Sequence, residues 1–174
     1  MNWGGWIAAA AALAAPASAQ QAATTQQLAE CRLAYGQTLG AVRGLKIAGR
    51  ENKGEPGVTD VTVRFDVPGL TALGLPVTKF SLRRFEGEDP FSGKTDQTTE
   101  IVSQLSAEYR VARTALLKAF GRTKCDAEGT AITYCQLNLP NDMSAGQRGV
   151  TMSVVKADSG AIEAMCIYQR KVDN

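Results

Sequence analysis

Polar and apolar residues alternate most regularly in the segment "DVTVRFDV", residues 60–67. Val61, Val63 and Phe65 fall on one side of this segment and polar residues fall on the other, which is the two-residue period of a half-buried β-strand. Similar runs, separated by turn-forming residues, predict five further strands. These strands lie in "GLKIAGR", "PVTKFSLRRF", "TAITYCQL", "GVTMSVV" and "AIEAMCIYQ".

Two stretches show the period of an amphipathic helix instead. In residues 24–39 the apolar positions are Leu28, Cys31, Leu33 and Tyr35. A longer stripe follows Thr95 or Asp96, either of which is a suitable N-cap, and it ends at Gly121. Its members are Ile101, Leu105, Tyr109, Ala112, Leu116 and Phe120. The pattern therefore predicts one short and one long helix.

The order of one helix and three strands occurs twice along the chain. The segment "AYGQTLGAVRGLKI", residues 34–47, is echoed by "AFGRTKCDAEGTAI", residues 119–132. Aligning the halves on this echo places the strand 61–65 against 150–154 and favours a tandem αβββ duplication. A single undivided domain is the alternative, and both give the same α+β class. We expect two helices packed on one face of an antiparallel sheet of about six strands.

The N-terminus has the features of an export signal. The run "WIAAAAALAAPASA" closes on Ala17-Ser18-Ala19, the small residues that precede a cleavage site. The sequence thus predicts a signal peptide in residues 1–19 and a single domain in residues 20–174, whose halves under a duplication are 20–90 and 95–174. No transmembrane segment is expected, because the run is shorter than about 20 apolar residues. No lipid anchor is expected either, since Cys31 is separated from the run by polar residues. A periplasmic or secreted location follows.

The four cysteines of an exported chain predict two disulfides. Three pairings are possible. We favour Cys125–Cys135, which closes a short loop, and hence Cys31–Cys166. A zinc site of four thiolates would have paired short spacings, which the sequence lacks.

The chain contains no histidine. The commonest general base and metal ligand is therefore missing, and no glycine-rich phosphate motif occurs. We predict no catalytic residue, no cofactor and no metal site. A hydrolase that uses carboxylates is the alternative, because Glu86, Glu88, Asp89 and Asp96 crowd one predicted loop.

The net charge is only +2, from 19 Lys and Arg residues against 17 Asp and Glu residues. A nucleic-acid partner is not expected, because such proteins carry a strongly basic face. One modest basic cluster comprises Arg110, Arg113, Lys118, Arg122 and Lys124. It lies towards the end of the predicted long helix, where cations complement the helix dipole.

The remaining candidates are surfaces. The sheet face away from the helices is predicted to carry Lys46, Thr62, Arg64, Thr151 and Ser153. Beside it, arginines and aromatic residues of the kind enriched in interfaces lead into the acidic loop. The candidate binding residues are Arg83, Arg84, Phe85, Glu88, Asp89 and Phe91.

These observations predict an exported, non-enzymatic module that binds another envelope protein or a component of the wall or membrane. A carrier of a small apolar ligand is a further alternative. Small residues between the predicted helices and the sheet would leave room for such a ligand. They are Ala29, Ala34, Ala112, Ala115 and Ala119.

Overall fold

The computed structural model describes residues 17–55, 58–88, 95–128, 131–137 and 147–172. Within these ranges the chain forms three α-helices and a 9-stranded sheet. The helices are α1 (Ala17–Ala29), α2 (Tyr35–Arg43) and α3 (Tyr109–Phe120), and a short 3-10 turn spans Arg122–Lys124. The strands are β1 (Ile47–Asn52), β2 (Thr59–Phe65), β3 (Thr71–Ala72), β4 (Leu75–Glu88), β5 (Thr95–Leu105), β6 (Cys125–Glu128), β7 (Ile132–Leu137), β8 (Gln147–Lys156) and β9 (Ile162–Val172).

The sheet is antiparallel, with the strand order β1-β2-β4-β5-β9-β8-β7-β6, and β3 pairs with β4 at its margin. Residues up to 105 thus contribute one meander of four strands (β1, β2, β4 and β5), and the residues that follow contribute a second (β6, β7, β8 and β9). The meanders meet at β5 and β9, which pair along all 11 residues of β5. The predicted α+β class and antiparallel sheet are confirmed, but the sheet is larger than the expected six strands.

Contacts from three parts of the chain reach the same side of this sheet. Cys31, between α1 and α2, is bonded to Cys166. Thr38 of α2 donates a hydrogen bond of 3.0 Å to the hydroxyl of Tyr168. The hydroxyl of Tyr109, in α3, lies 2.9 Å from that of Thr133. Since cross-strand register puts the three sheet residues on one side, we call that side the helix side and the opposite side the open face.

The core lies between the helices and the helix side. Strand residues there are almost completely buried, among them Phe80, Ile101 and Met152. Leu28 of α1 and Leu116 of α3 are also fully buried. Burial of each such side chain contributes about 1.5–3 kcal/mol, so these contacts fix the helices on the sheet.

The predicted long helix from residue 95 to residue 120 is wrong in its first half. Residues 95–105 form the central strand β5, and α3 begins only at Tyr109. Ile101 and Leu105 are four residues apart, a spacing that puts two side chains on one side of a helix and also on one side of a strand. The β-branched Thr98, Thr99 and Val102 around them favour the strand.

The predicted first helix is also divided. It ends at Ala29, and Cys31 has a positive φ of 55°, a conformation that interrupts a right-handed helix before α2 begins at Tyr35. Besides β5, two further strands, β3 and β6, were not predicted. Both are short, with 2 and 4 residues, so their periodicity is too brief to recognise.

Both predicted disulfides are confirmed. The Cα atoms of Cys31 and Cys166 lie 5.3 Å apart, and those of Cys125 and Cys135 lie 4.0 Å apart. The second bond joins directly opposed residues of β6 and β7. The first one ties the segment between α1 and α2 to a central strand.

The sequence echo does not join equivalent positions of the two halves. Tyr35 begins α2, whereas Phe120 ends α3. Residues 61–65 lie in the second strand of their meander, while residues 150–154 lie in the third strand of theirs. The alignment is therefore displaced by one strand, and each half has four meander strands rather than the three expected.

The predicted signal peptide lies mostly outside the described residues. Ala17 to Ala19, which precede the predicted cleavage site, form the first turn of α1. Among the helices that the structure describes, none is long and apolar enough to cross a membrane.

Candidate functional site

The open face extends across most strands of the sheet. One cross-strand row on this face runs from β2 to β7 through Thr62, Arg83, Glu100, Ile167, Thr151 and Gln136. Each side chain of this row is at least partly exposed, and the contacts of the described helices reach the other side of the sheet.

Apolar side chains are concentrated at the centre of the open face. We call the apolar stripe the six partly exposed residues Val102, Met165, Ile167, Val155, Tyr134 and Ile132. Register places Val102 against Met165 and Val155 against Ile132, so the stripe crosses β5, β9, β8 and β7. The solvent side of an antiparallel sheet is ordinarily polar, so this group of partly buried apolar side chains makes the open face a candidate interaction site.

A charged cluster of Asp60, Arg83 and Glu100 lies beside the apolar stripe. Arg83 donates two hydrogen bonds to Asp60, with Nε to Oδ1 at 3.0 Å and Nη2 to Oδ2 at 2.7 Å. Its Nη1 lies 3.9 Å from Oε2 of Glu100. Two parallel bonds to one carboxylate hold the guanidinium in a fixed orientation.

The two carboxyl groups of the charged cluster respond differently to this arrangement. The hydrogen bonds from Arg83 hold the pKa of Asp60 below its ordinary value. Burial raises the pKa of Glu100, and the attraction of Arg83 opposes that rise only in part. Glu100 is therefore the carboxyl group whose ionisation is unfavourable in this environment.

Phe85 extends the candidate surface along β4. Its side chain is 41% exposed, which is unusual for a phenylalanine. The ring lies close to Gly87, where a Cβ atom would be in van der Waals contact with two ring carbons at 3.4 Å. Phe85 is paired with Asp60 and Thr98 on the neighbouring strands, next to the charged cluster.

The structure separates the two predicted arginines. Arg83 and Arg84 are consecutive in β4, so they point to opposite faces of the sheet. Arg84 lies on the helix side, where its Nη2 donates a bond of 3.0 Å to Glu86. Gln97 donates to the same carboxylate at 2.9 Å and accepts a bond of 3.0 Å from Tyr35. Arg84 thus takes part in a hydrogen-bond network on the helix side that reaches Tyr35 of α2, and it does not lie on the open face.

The other predicted binding residues fall at the limit of what is described. Asp89 and Phe91 lie outside the described residues, and so does the side chain of Glu88, the last residue of β4. Of the six candidates, the structure brings together Arg83 and Phe85.

Asp60, Glu100 and the apolar stripe were not predicted as site residues. Glu100 was missed because residues 95–105 were predicted to be helical, and the buried polar residues Gln97 and Ser103 leave no clear alternation of polar and apolar positions there. Of the polar residues predicted for this face, register places Thr62, Arg64, Thr151 and Ser153 there. Lys46 instead precedes β1 and pairs with Asp66 at 2.8 Å.

The structure describes only part of the residue sets that motivated the two alternatives: Asp89 and the side chains of Glu88 and Asp96 lie outside the described residues. Ala29 and Ala112 are packed in the core, whereas Ala119 is exposed. A groove of about 590 Å³ lies elsewhere, between α1 and residues 66–71. Among the acidic residues proposed for a hydrolase, Glu86 is bonded to Arg84 and Gln97 on the helix side. In the described part of the chain, no three His, Cys, Asp or Glu side chains are arranged to hold a metal ion.

Comparisons with protein-family models, with curated proteins and with solved structures give no match for this chain.

Proposed function

We propose that this protein is an exported, non-enzymatic module of the cell envelope, and that it binds another protein through its open face. The observation that carries the proposal is the apolar stripe, uncovered by the described helices and flanked by the charged cluster. Interfaces of ordinary size combine an apolar centre with a polar rim, and the open face has this arrangement.

The charged cluster supports specific binding. Arg83 is 46% exposed, yet its orientation is fixed by Asp60. A side chain that is already ordered loses little conformational entropy when a partner binds. Arginine and aromatic residues often supply a large share of interface energy, and Arg83 and Phe85 are neighbours on one face.

The two disulfides support the proposed location. They fit an oxidising compartment such as the periplasm or the extracellular space, and the N-terminal apolar run of the sequence agrees with export. Together with the open face, they favour a stable scaffold that presents a binding surface outside the cytoplasm.

The two consecutive arginines provide a matched test. The oxidised protein is cross-linked in an envelope extract, and stoichiometric partners are identified by mass spectrometry. Replacement of both Arg83 and Phe85 by Ala is expected to weaken partner binding about tenfold or more, as loss of interface hot spots does. Arg84→Ala is the control, because it removes the same side chain from the helix side of the same strand. Circular dichroism of each variant checks that it folds.

The outcomes of this test distinguish the open face from the helix side, and protein binding from the carrier and hydrolase alternatives. Loss of binding in Arg84→Ala alone would place the site on the helix side and reject the open face. The absence of any partner, combined with a small apolar molecule in native mass spectra, would favour the carrier alternative and the groove between α1 and residues 66–71. Turnover of a glycoside or ester by the pure protein would favour the hydrolase alternative.

A further inference from the structure

The outward surface of α3 and the 3-10 turn carries five positive charges and no negative one. We call the cationic face the exposed residues Arg110, Arg113, Lys118, Arg122 and Lys124. No Asp or Glu occurs between residues 109 and 124. In the described part of the chain, no ion pair of these five side chains is found.

Charge is therefore segregated in this molecule. The other 14 of the 19 Lys and Arg residues stand against all 17 Asp and Glu residues, so the rest of the chain is net negative. A net charge of +2 therefore conceals a concentrated positive surface on α3 and the 3-10 turn that follows it.

The stability of α3 does not account for this concentration. A cation in the last turn complements the helix dipole, which explains Lys118. Arg110 lies in the first turn, where a cation opposes the dipole; the nearest acidic residue is the N-cap Glu108, and among the described residues the two side chains form no ion pair. Arg113 lies in the middle of the helix, where the dipole has little effect. At least these two arginines need another explanation.

The geometry of α3 makes the cationic face suitable for an extended negatively charged surface. Ala112 and Leu116 are buried in the core, and the 3.6-residue period then points Arg110, Thr114 and Lys118 outward in one line. A groove of about 480 Å³ beside that line is lined by Arg113, Lys118, Arg122 and the partly buried Leu117. Val111, on the same helix, is 49% exposed.

From this charge complementarity we infer that the cationic face docks the protein onto a membrane surface rich in anionic phospholipid head groups. The lysine and arginine side chains bind the phosphates, and Val111 and Leu117 contact the boundary between head groups and acyl chains. Apolar side chains among the cations favour a lipid surface over a nucleic acid. The inference goes beyond the proposed function, because it uses a helix on the other side of the sheet and needs no protein partner.

Flotation with lipid vesicles tests the inference. The full-length oxidised protein is mixed with vesicles of phosphatidylglycerol and phosphatidylcholine in equal parts, or of phosphatidylcholine alone. Arg113, Lys118 and Arg122 are replaced together by Gln. Because each basic residue near an anionic surface contributes about fivefold in affinity, the triple variant is expected to bind about 100-fold more weakly. Added salt is expected to weaken wild-type binding by screening.

A matched variant controls for net charge. Replacing Arg50, Lys79 and Lys156 by Gln removes three other exposed cations and is expected to leave vesicle binding almost unchanged. Binding to pure phosphatidylcholine measures any contribution of the N-terminal apolar run, which both variants retain.

Three results would overturn the inference. Equal losses in the two variants would show that only the net charge matters. Displacement of the protein by inorganic phosphate as efficiently as by added anionic vesicles would indicate a small-anion site. Tighter binding to a DNA duplex than to anionic vesicles, at the same phosphate concentration, would indicate a nucleic-acid surface. These results do not involve Arg83 or Phe85, so failure here is distinguishable from failure of the open-face proposal.

Discussion

Asp60 and Glu100 flank one guanidinium, yet only Asp60 is well stabilised as an anion. Asp60 accepts two hydrogen bonds from Arg83, at 3.0 and 2.7 Å. Glu100 lies 3.9 Å from the same side chain, too far for a hydrogen bond, and its side chain is only 24% exposed. The pKa of Asp60 is lowered and that of Glu100 is raised. A partner that donates a hydrogen bond to Glu100 would stabilise its ionised form and offset the cost of its burial.

Glu100→Gln is expected to raise the free energy of unfolding at neutral pH. A carboxyl group whose pKa is higher in the folded state than in the unfolded state stabilises the protein below its unfolded pKa. This contribution is lost as the pH rises through the folded pKa. Glutamine resembles the protonated acid and does not ionise, so the variant avoids that loss. Urea unfolding at a series of pH values, from acidic to neutral, measures the difference from wild type.

Asp60→Asn provides the control of opposite sign. The lowered pKa of Asp60 means that its contribution to stability is present above its unfolded pKa and is lost on acidification through the folded pKa. The asparagine variant is therefore expected to be less stable than wild type at neutral pH. A difference between Glu100→Gln and wild type that stays constant with pH would contradict the interpretation of Glu100.

At the scale of elements, the sequence predicts structure well where only one period fits. Strand β2 alternates without ambiguity and was predicted within a residue or two. Strand β5 was assigned to a helix for two reasons. Ile101 and Leu105 satisfy both the helical and the strand period, and the apolar residues of α3 continue their spacing. Its polar inward positions, Gln97 and Ser103, are buried and hide the alternation that would have identified a strand.

Prediction of the candidate site from the sequence depended on whether residues 95–105 were assigned to a helix or to a strand. With residues 95–105 in a helix, Glu100 has no relation to Arg83, and the charged cluster cannot be anticipated. Arg83 and Phe85 were predicted because their residue types are typical of interfaces. The separation of Arg83 from Arg84 also follows from alternation in β4. The opposed pair of Asp60 and Phe85 depends on strand register, which a single sequence does not determine.

The two disulfides join elements over very different lengths of chain, so their removal is expected to have unequal effects. Cys31 and Cys166 are 135 residues apart, whereas Cys125 and Cys135 are 10 apart. The chain-entropy model assigns about 5 kcal/mol to the longer loop and about 3 kcal/mol to the shorter one. Cys31→Ala with Cys166→Ala should therefore destabilise more than Cys125→Ala with Cys135→Ala. Urea unfolding of both double variants measures this order.

A complication is that removal of Cys31 and Cys166 also changes the core. The sulfur of Cys31 lies 3.2 Å from that of Met152, and both cysteines are fully buried. Reduction of the Cys125→Ala, Cys135→Ala variant separates the two effects, since it opens only the Cys31–Cys166 bond and keeps both sulfur atoms in the core. Equal destabilisation of the two double variants would show that loop length does not determine the contribution.

At the scale of the whole molecule, the sheet separates two surfaces. The open face presents the apolar stripe and the charged cluster. Helix α3 packs on the helix side, with Tyr109 bonded to Thr133, and turns its cationic face away from the sheet. A protein docked on a membrane through α3 would therefore hold its open face towards the aqueous compartment. In this orientation both proposed surfaces would be accessible at once, and the membrane would not compete with a protein partner.

This orientation predicts different environments for two reporter side chains on anionic vesicles. With Trp3 and Trp6 replaced by Phe, the chain contains no tryptophan of its own, and a single one is placed at Val111 or at Phe85. Both positions are exposed, at 49% and 41%.

Fluorescence of Val111→Trp is expected to shift to the blue on binding and to be quenched by lipids brominated in their acyl chains, because the indole enters the interface. Fluorescence of Phe85→Trp is expected to stay unchanged and open to iodide, a quencher confined to water. If Phe85→Trp shifts and Val111→Trp does not, the open face is the membrane-binding surface, and the assignment of the two faces must be reversed.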